Sequence, residues 1–350
     1  MRQNKKYIAL AAAAACFLSG CNVKPQLSRY DAQFLQLFDT VTSVVGYAKD
    51  KETFTAYVQE FHDELEEYHQ LYDIYNEYEG INNLKTINDH AGIQPIEVDQ
   101  RIIDLLEEAL EMYELTDGYM NIAMGSVLEI WHDYRTEGID NPLEASLPPM
   151  EALIEASEHT SIEDIVIDRE QSTVYLKDPD MSLDVGAIAK GYATEMVCRK
   201  MAEEGISNVM VSVGGNIRAI GTKQDGSPWN VGIQNPDMES EEKYLHTVSV
   251  QDQSLVTSGS YQRYYTVDGV QYHHIVNPDT LMPGNEYVSV SILCQDSGMA
   301  DALSTAAFNR NLEDGKKMIE SIEGAEALWV FPDGREVCTP GFQALMDQNG

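Results

Sequence analysis

Five segments of this chain combine glycines, polar side chains and aromatics more densely than a hydrophobic core requires. In Ser182-Leu-Asp184-Val-Gly186-Ala187-Ile-Ala-Lys190-Gly191-Tyr192, a strand end turns at Gly186 into a helix. The N–H groups of a helix N-terminus attract an anion and Lys190 in the first turn adds a cation, so this turn suits a phosphate. Asp184, just before the turn, could orient a polar ligand; the plainer alternative is an Asp cap beside a surface lysine. In Ala300-Asp301-Ala302-Leu303-Ser304-Thr305-Ala306, Asp301 and Thr305 stand four apart and present a carboxylate and a hydroxyl on one helix face. A few hard oxygens suit Mg²⁺, which keeps waters and takes the rest of its shell from phosphates. The plainer alternative there is an Asp near a helix start followed by a buried threonine, and Ser304 is a further candidate ligand. The remaining three segments are Ser212-Val-Gly214-Gly215-Asn216-Ile217, Val256-Thr-Ser258-Gly259-Ser260-Tyr261-Gln-Arg263-Tyr264 and Tyr272-His273-His274-Ile275-Val-Asn277-Pro278.

The elements that must position these residues are partly readable from periodicity. Phe54, Tyr57, Val58, Phe61, Leu65, Tyr68 and Tyr72 recur at three and four and predict an amphipathic helix from Glu52 to Tyr72. Ile102, Leu105, Leu106, Ala109, Leu110 and Tyr113 predict a second from Gln100 to Leu115, stopped at Asp117-Gly118. From Ile165 onward short β-rich runs follow turn residues: 165–167, 174–176, 209–213, 217–220, 231–233, 248–250, 264–267 and 287–293. Helices are predicted to interrupt them at 187–204, 299–308 and 312–322, giving mixed α+β with antiparallel pairing rather than a regular βαβ alternation.

The N-terminus addresses the compartment. Arg2, Lys5 and Lys6 precede an apolar run from Ile8 to Leu18 that is too short to span a bilayer stably, a signal-peptide pattern. The run ends in Leu18-Ser19-Gly20-Cys21, the form of a bacterial lipobox, which predicts cleavage of residues 1–20 and a lipid on Cys21 that anchors without spanning. Residues 21–36 read as a polar tether and 37–345 as one domain. Loss of three basic and no acidic residues takes the formal charge from −35 to −38, which disfavours nucleic acid and anionic headgroups. Cys198, Cys294 and Cys338 form neither a disulfide framework nor a zinc pattern.

Taken in order, the five segments resemble the signature motifs of the ApbE family of flavin transferases. The 182–192 segment is similar to the family's Asp-Leu-Gly-Gly/Ala-Ile-Ala-Lys-Gly-Tyr, and 212–217 to its glycine pair that lets backbone approach the nucleotide. The 256–264 and 272–278 segments look like its serine-glycine-x-tyrosine and histidine-isoleucine-x-x-proline pair, and 300–306 like its metal-binding helix. The resemblance runs from about Leu37 to Gly334 and implies an α+β flavin-transferase fold with an antiparallel sheet core and flanking helices. It implies FAD contacts at Phe38, Tyr75, Tyr119, Met120, Asn121, Asp184, Lys190, Gly214, Gly215, Asn216, Ser258, Gly259, Tyr261 and His274. It further implies Mg²⁺ held by Asp301, Thr305 and the Ala187 carbonyl. His274 would be a general base or a flavin contact, with His273 available for the other role.

Three positions depart from the family pattern: Phe38-Asp39-Thr40 stands where Met-Gly-Thr is usual, Asn121 where Asp is usual, and Ser260 where Asp is common. Asn121 lacks the carboxylate charge but is still expected to hydrogen-bond the adenine. The activity implied is Mg²⁺-dependent transfer of FMN from FAD to a Thr or Ser hydroxyl of an acceptor flavoprotein, with AMP leaving. Such an acceptor would carry an Asp-Gly-x-Thr/Ser-Gly-Ala-Thr/Ser motif, and His274 and Lys190 would serve the chemistry. Two alternatives share the site: an FAD pyrophosphatase in which water replaces the acceptor, giving FMN and AMP, and a non-catalytic FAD-binding lipoprotein. The lipidated protein is expected on the outer face of the cell membrane or facing the periplasm.

Overall fold

A computed structural model of the chain describes residues 27–347. The signal peptide and Cys21 lie outside these residues. Eight strands form one antiparallel sheet whose spatial order follows the chain: Ser28–Leu35, Val41–Ala48, Asn208–Val213, Asn216–Gly221, Ser254–Gly259, Ser289–Cys294, Glu326–Val330 and Glu336–Cys338. Its middle strands are covered on both faces, and so all six residues of Ser289–Cys294 are buried. Val211, Val256, Ile292, Ala327 and Trp329 point into the larger core beneath the helices. Leu255, Leu293, Leu328 and Val330 point the other way, into a smaller core with Trp229, Val231, Val248 and Phe342. That second face is covered by the antiparallel pair Trp229–Gln234 and Tyr244–Val250 and by the helix Pro340–Asp347.

The predicted helices are present, at Lys51–Tyr72, Gln100–Leu115, Ala189–Glu203, Ser297–Asn309 and Leu312–Glu320. Asp50, Asp99, Asp296 and Asn311 each accept a backbone N–H at a helix start, the local chemistry that fixes those ends. A further helix, Gly125–Asp140, was not expected and packs on the small antiparallel pair Tyr264–Val267 and Val270–His273.

The tether expectation is corrected over residues 28–35. Tyr30, Ala32 and Phe34 alternate inward, against Phe54 and Phe61 of the first long helix, while Arg29, Asp31 and Gln33 face out. This period of two makes an edge strand in full register with Val41–Ala48, so the folded unit begins near residue 28 rather than 37.

Candidate functional site

A cleft of about 450 Å³ opens between the helical parts and the sheet. Its core is a crossing of two helices. The helix Ala189–Glu203 has no side-chain cap of its own at its start. Instead the Gly191 N–H donates to Asp301 Oδ2 at 2.9 Å, and Lys190 Nζ lies 3.4 Å from the same oxygen. A carboxylate from the helix Ser297–Asn309 thus caps the 189–203 helix, where a local Asp or Ser would ordinarily serve. The close approach depends on Gly191, because a Cβ there would stand 2.2 Å from the Ser297 carbonyl oxygen and 2.6 Å from Asp301 Cβ. The Gly191 N–H expected to face an anion is therefore taken by protein.

Asp301 is 3 % exposed, and its Oδ1 makes no hydrogen bond among the described residues. The Thr305 hydroxyl, one turn on, likewise makes none, although Thr116 and Thr194 bond back to the carbonyl four residues earlier. Asp301, Thr305 and Ala187 all border the cleft. An unused carboxylate oxygen and an unused hydroxyl on one helix face are hard donors, so these residues fit Mg²⁺. Ser304 does not join them: it is fully buried, and its hydroxyl is engaged with Ser258 Oγ at 2.7 Å and the Asp301 carbonyl at 2.8 Å.

The rest of the wall comes from distant parts of the chain. Asp184 accepts the Gly186 N–H at 2.8 Å, and burial raises its carboxyl above the usual range against that hydrogen bond. Gly214 and Gly215 are the two left-handed residues of a tight hairpin turn between paired Val213 and Asn216. Gly214 and Asn216 face the cleft, whereas exposed Gly215 does not border it. Ser258 and Gly259 border it; Tyr261 does not, and its ring lies where a Cβ on Gly259 would fall.

His274 borders the cleft at the end of the 270–273 strand, its N–H donating to the Arg263 carbonyl at 3.1 Å. Burial, then Arg263, pushes its imidazole down to about 3, so the ring is neutral at physiological pH. His274 Nδ1 and Asn216 Nδ2 are buried without a hydrogen-bond partner among the described residues, and both belong to cleft residues. Such orphaned atoms imply a ligand or water that completes them. His273 turns away: one ring nitrogen meets the Gly284 carbonyl, the other accepts the Ile275 N–H, and Phe308 packs edge-on.

Phe38 and Asp39 border the cleft with φ of 52° each, a left-handed conformation that Asp tolerates and glycine favours. That geometry accounts for glycine at this position in the family pattern. Tyr75, Tyr119 and Asn121 border the cleft too. The Tyr119 hydroxyl is held by Asp279 at 2.6 Å. Asn121 was expected to reach a ligand, yet its Oδ1 accepts the Ala123 N–H and its Nδ2 donates to the Thr160 carbonyl. Met120 is fully buried and absent from the cleft wall. Cleft residues not anticipated include His69, Asp73, Trp131, His132, Arg135 and Thr257. Trp131, His132 and Arg135 were missed together with the 125–140 helix that carries them.

The sequence profile of the ApbE family matches residues 38–329. A FAD:protein FMN transferase of Treponema pallidum is 36% identical over 272 residues, covering 74% of this chain and 73% of that protein. The FAD:protein FMN transferase of Escherichia coli K12 is 28% identical over 347 residues, 95% of each chain. Among solved structures, the ApbE protein of Thermotoga maritima superposes with a TM-score of 0.79 at 28% identity, covering 91% of this chain and 99% of that one. The flavin transferase ApbE of Vibrio cholerae gives 0.75 at 25% identity, covering 91% and 100%.

Proposed function

This chain belongs to the ApbE family, and from that premise we propose that it is an FAD:protein FMN transferase acting on a Thr or Ser hydroxyl of an exported acceptor flavoprotein. The observation that carries the reading is the meeting of Asp301 with the 184–191 turn, through the 2.9 Å bond to Gly191 N and the Lys190 contact. A diphosphate placed there has a cation and hard-oxygen ligands within one cleft. Asp301, Thr305 and the Ala187 carbonyl would hold Mg²⁺, whose chemistry when bound is to offset charge building on the phosphoryl oxygens.

This chain's residues have separable tasks. Lys190 adds its own charge at the same phosphoryl group, and Asp184 and Asn216 orient the dinucleotide. The acceptor oxygen bonds to the FMN-side phosphorus as the bond from that phosphorus to the bridging oxygen breaks, and AMP leaves with the bridging oxygen. Neutral His274 takes the hydroxyl proton at its ring, which no group among the described residues hydrogen-bonds, its proton affinity raised from the ligand-free value by the negative phosphates bound beside it. The acceptor carries the Asp-Gly-x-Thr/Ser-Gly-Ala-Thr/Ser motif, and the enzyme is anchored through lipid at Cys21 on the outer face of the membrane.

The test is the mass of an acceptor bearing that motif after incubation with the protein, FAD and Mg²⁺. The acceptor should gain one FMN, with AMP released in equal amount, and Asp301→Ala or a chelator should abolish the gain. Release of FMN and AMP with no mass on the acceptor would replace transfer by hydrolysis, and binding of FAD without turnover would leave only a carrier.

A further inference from the structure

Two arginines in this cleft are set apart from the rest. The chain has 58 acidic and 23 basic residues, so an arginine seldom lacks a carboxylate neighbour. Arg29, Arg101, Arg169, Arg199, Arg218 and Arg310 each face one. Arg135, Arg263 and Arg335 form no ion pair among the described residues; Arg335 lies over the Phe331 ring away from the cleft, whereas Arg135 and Arg263 both border it. Arg135 donates to His132 Nδ1 at 3.2 Å and Arg263 to the Asp39 carbonyl at 3.3 Å, contacts that orient a guanidinium without neutralising it.

The fold brings this pair to one place. The 125–140 helix lies against the 264–267 strand because Gly138 has no side chain: a Cβ there would stand 2.4 Å from the Tyr265 ring. Arg135, one turn before Gly138 on the same face, is carried toward the hairpin that holds His274. Arg263 already lies across that hairpin from His274, whose N–H it accepts. Burial lowers the proton affinity of the Arg135 guanidinium, a cost that a bound anion would offset. Two forked, permanently charged donors facing one cavity match phosphate oxygens.

We propose that Arg135 and Arg263 are phosphate-binding residues that together hold the dinucleotide's phosphates on the His274 side of the cleft, complementing Lys190 and Asp301. The proposal rests on the flavin-dinucleotide reading of the site given above. It assigns to the 125–140 helix a part in substrate binding, and it gives the phosphates cationic partners in a cleft whose wall also carries Asp39, Asp73, Asp184 and Asp301.

The experiment titrates the full chain with FAD, with ADP and with phosphate-free riboflavin, for wild type and for Arg135→Gln, Arg263→Gln and the two Lys variants. Each Gln variant should bind FAD and ADP roughly tenfold more weakly, the loss of a charge-assisted hydrogen bond. Riboflavin affinity should hold, FAD affinity should depend less steeply on salt, and the Lys variants should recover part of the loss. FAD affinity within about twofold of wild type in both Gln variants would overturn the proposal, as would an equal loss for riboflavin, which marks a shaping role only. An effect confined to the KM for the acceptor protein would also overturn it. Failure of the wild-type chain itself to bind FAD would strike the reading of the whole site instead.

Discussion

His274 shows how burial rather than sequence neighbours sets a residue's chemistry. Its ring sits among Arg263, Arg135 and Lys190 and is pushed down to about 3 from an ordinary 6.5. The sign of the consequence is fixed: because the folded pKa is depressed, protonation favours the unfolded chain. This group costs nothing above pH 6.5, and its penalty grows as pH falls from there toward 3, by up to about 1.4 kcal/mol per pH unit. His274→Gln should therefore have a melting temperature that falls less between pH 6.5 and pH 5 than that of wild type. Parallel melting curves for the two proteins would show that His274 does not carry this penalty. Asp301 makes a related point, since one carboxylate caps a helix with Oδ2 and leaves Oδ1 toward the cleft. Its removal is expected to touch both stability and turnover.

At the scale of elements, the site depends on how closely two helices cross. The helices Ala189–Glu203 and Ser297–Asn309 meet at Gly191, where the separation leaves no room for a methyl group. Gly191→Ala would push the Ser297 carbonyl and the Asp301 side chain away, an overpacking change of about 1–3 kcal/mol. Urea unfolding should register that loss. Because Asp301 moves with its helix, the Mg²⁺ concentration needed for half-maximal turnover should rise as well. A stability loss with an unaltered Mg²⁺ requirement would separate the crossing from the metal site. The 125–140 helix has the same logic at Gly138, where a missing side chain sets how far Arg135 reaches into the cleft.

At the scale of the whole molecule, the distribution of charge matters more than its total. A formal net charge of −35 would oppose entry of a dianionic dinucleotide, yet Lys190, Arg135 and Arg263 all border one cleft. Those three cations stand among Asp39, Asp73, Asp184 and Asp301, so the phosphates would meet individual positive partners rather than a uniformly positive cleft. No helix among the described residues is long and apolar enough to cross a membrane. The proposed attachment is through lipid at Cys21, and on that proposal wild-type protein should sediment with the membrane fraction while Cys21→Ala should not. Equal sedimentation of both would remove the anchor from the account.

The sequence by itself marked candidate residues for the site and their order along the chain, because those signals are local. Asp301 and Thr305 share a face through the pitch of one helix, and the 51–72 and 100–115 helices announce themselves by apolar spacing. The antiparallel α+β class was legible for the same reason. The edge strand at 28–35 was legible in principle too, since Tyr30, Ala32 and Phe34 alternate, but polar residues between them resembled a tether. Only the tertiary structure decided what each polar group does once placed. Asp301 caps Gly191 across 110 residues, Asn121 and Ser304 are held by internal hydrogen bonds, and Arg135 and Arg263 remain unpaired beside His274. Such facts depend on which partners arrive from elsewhere in the chain, and local spacing carries no record of them.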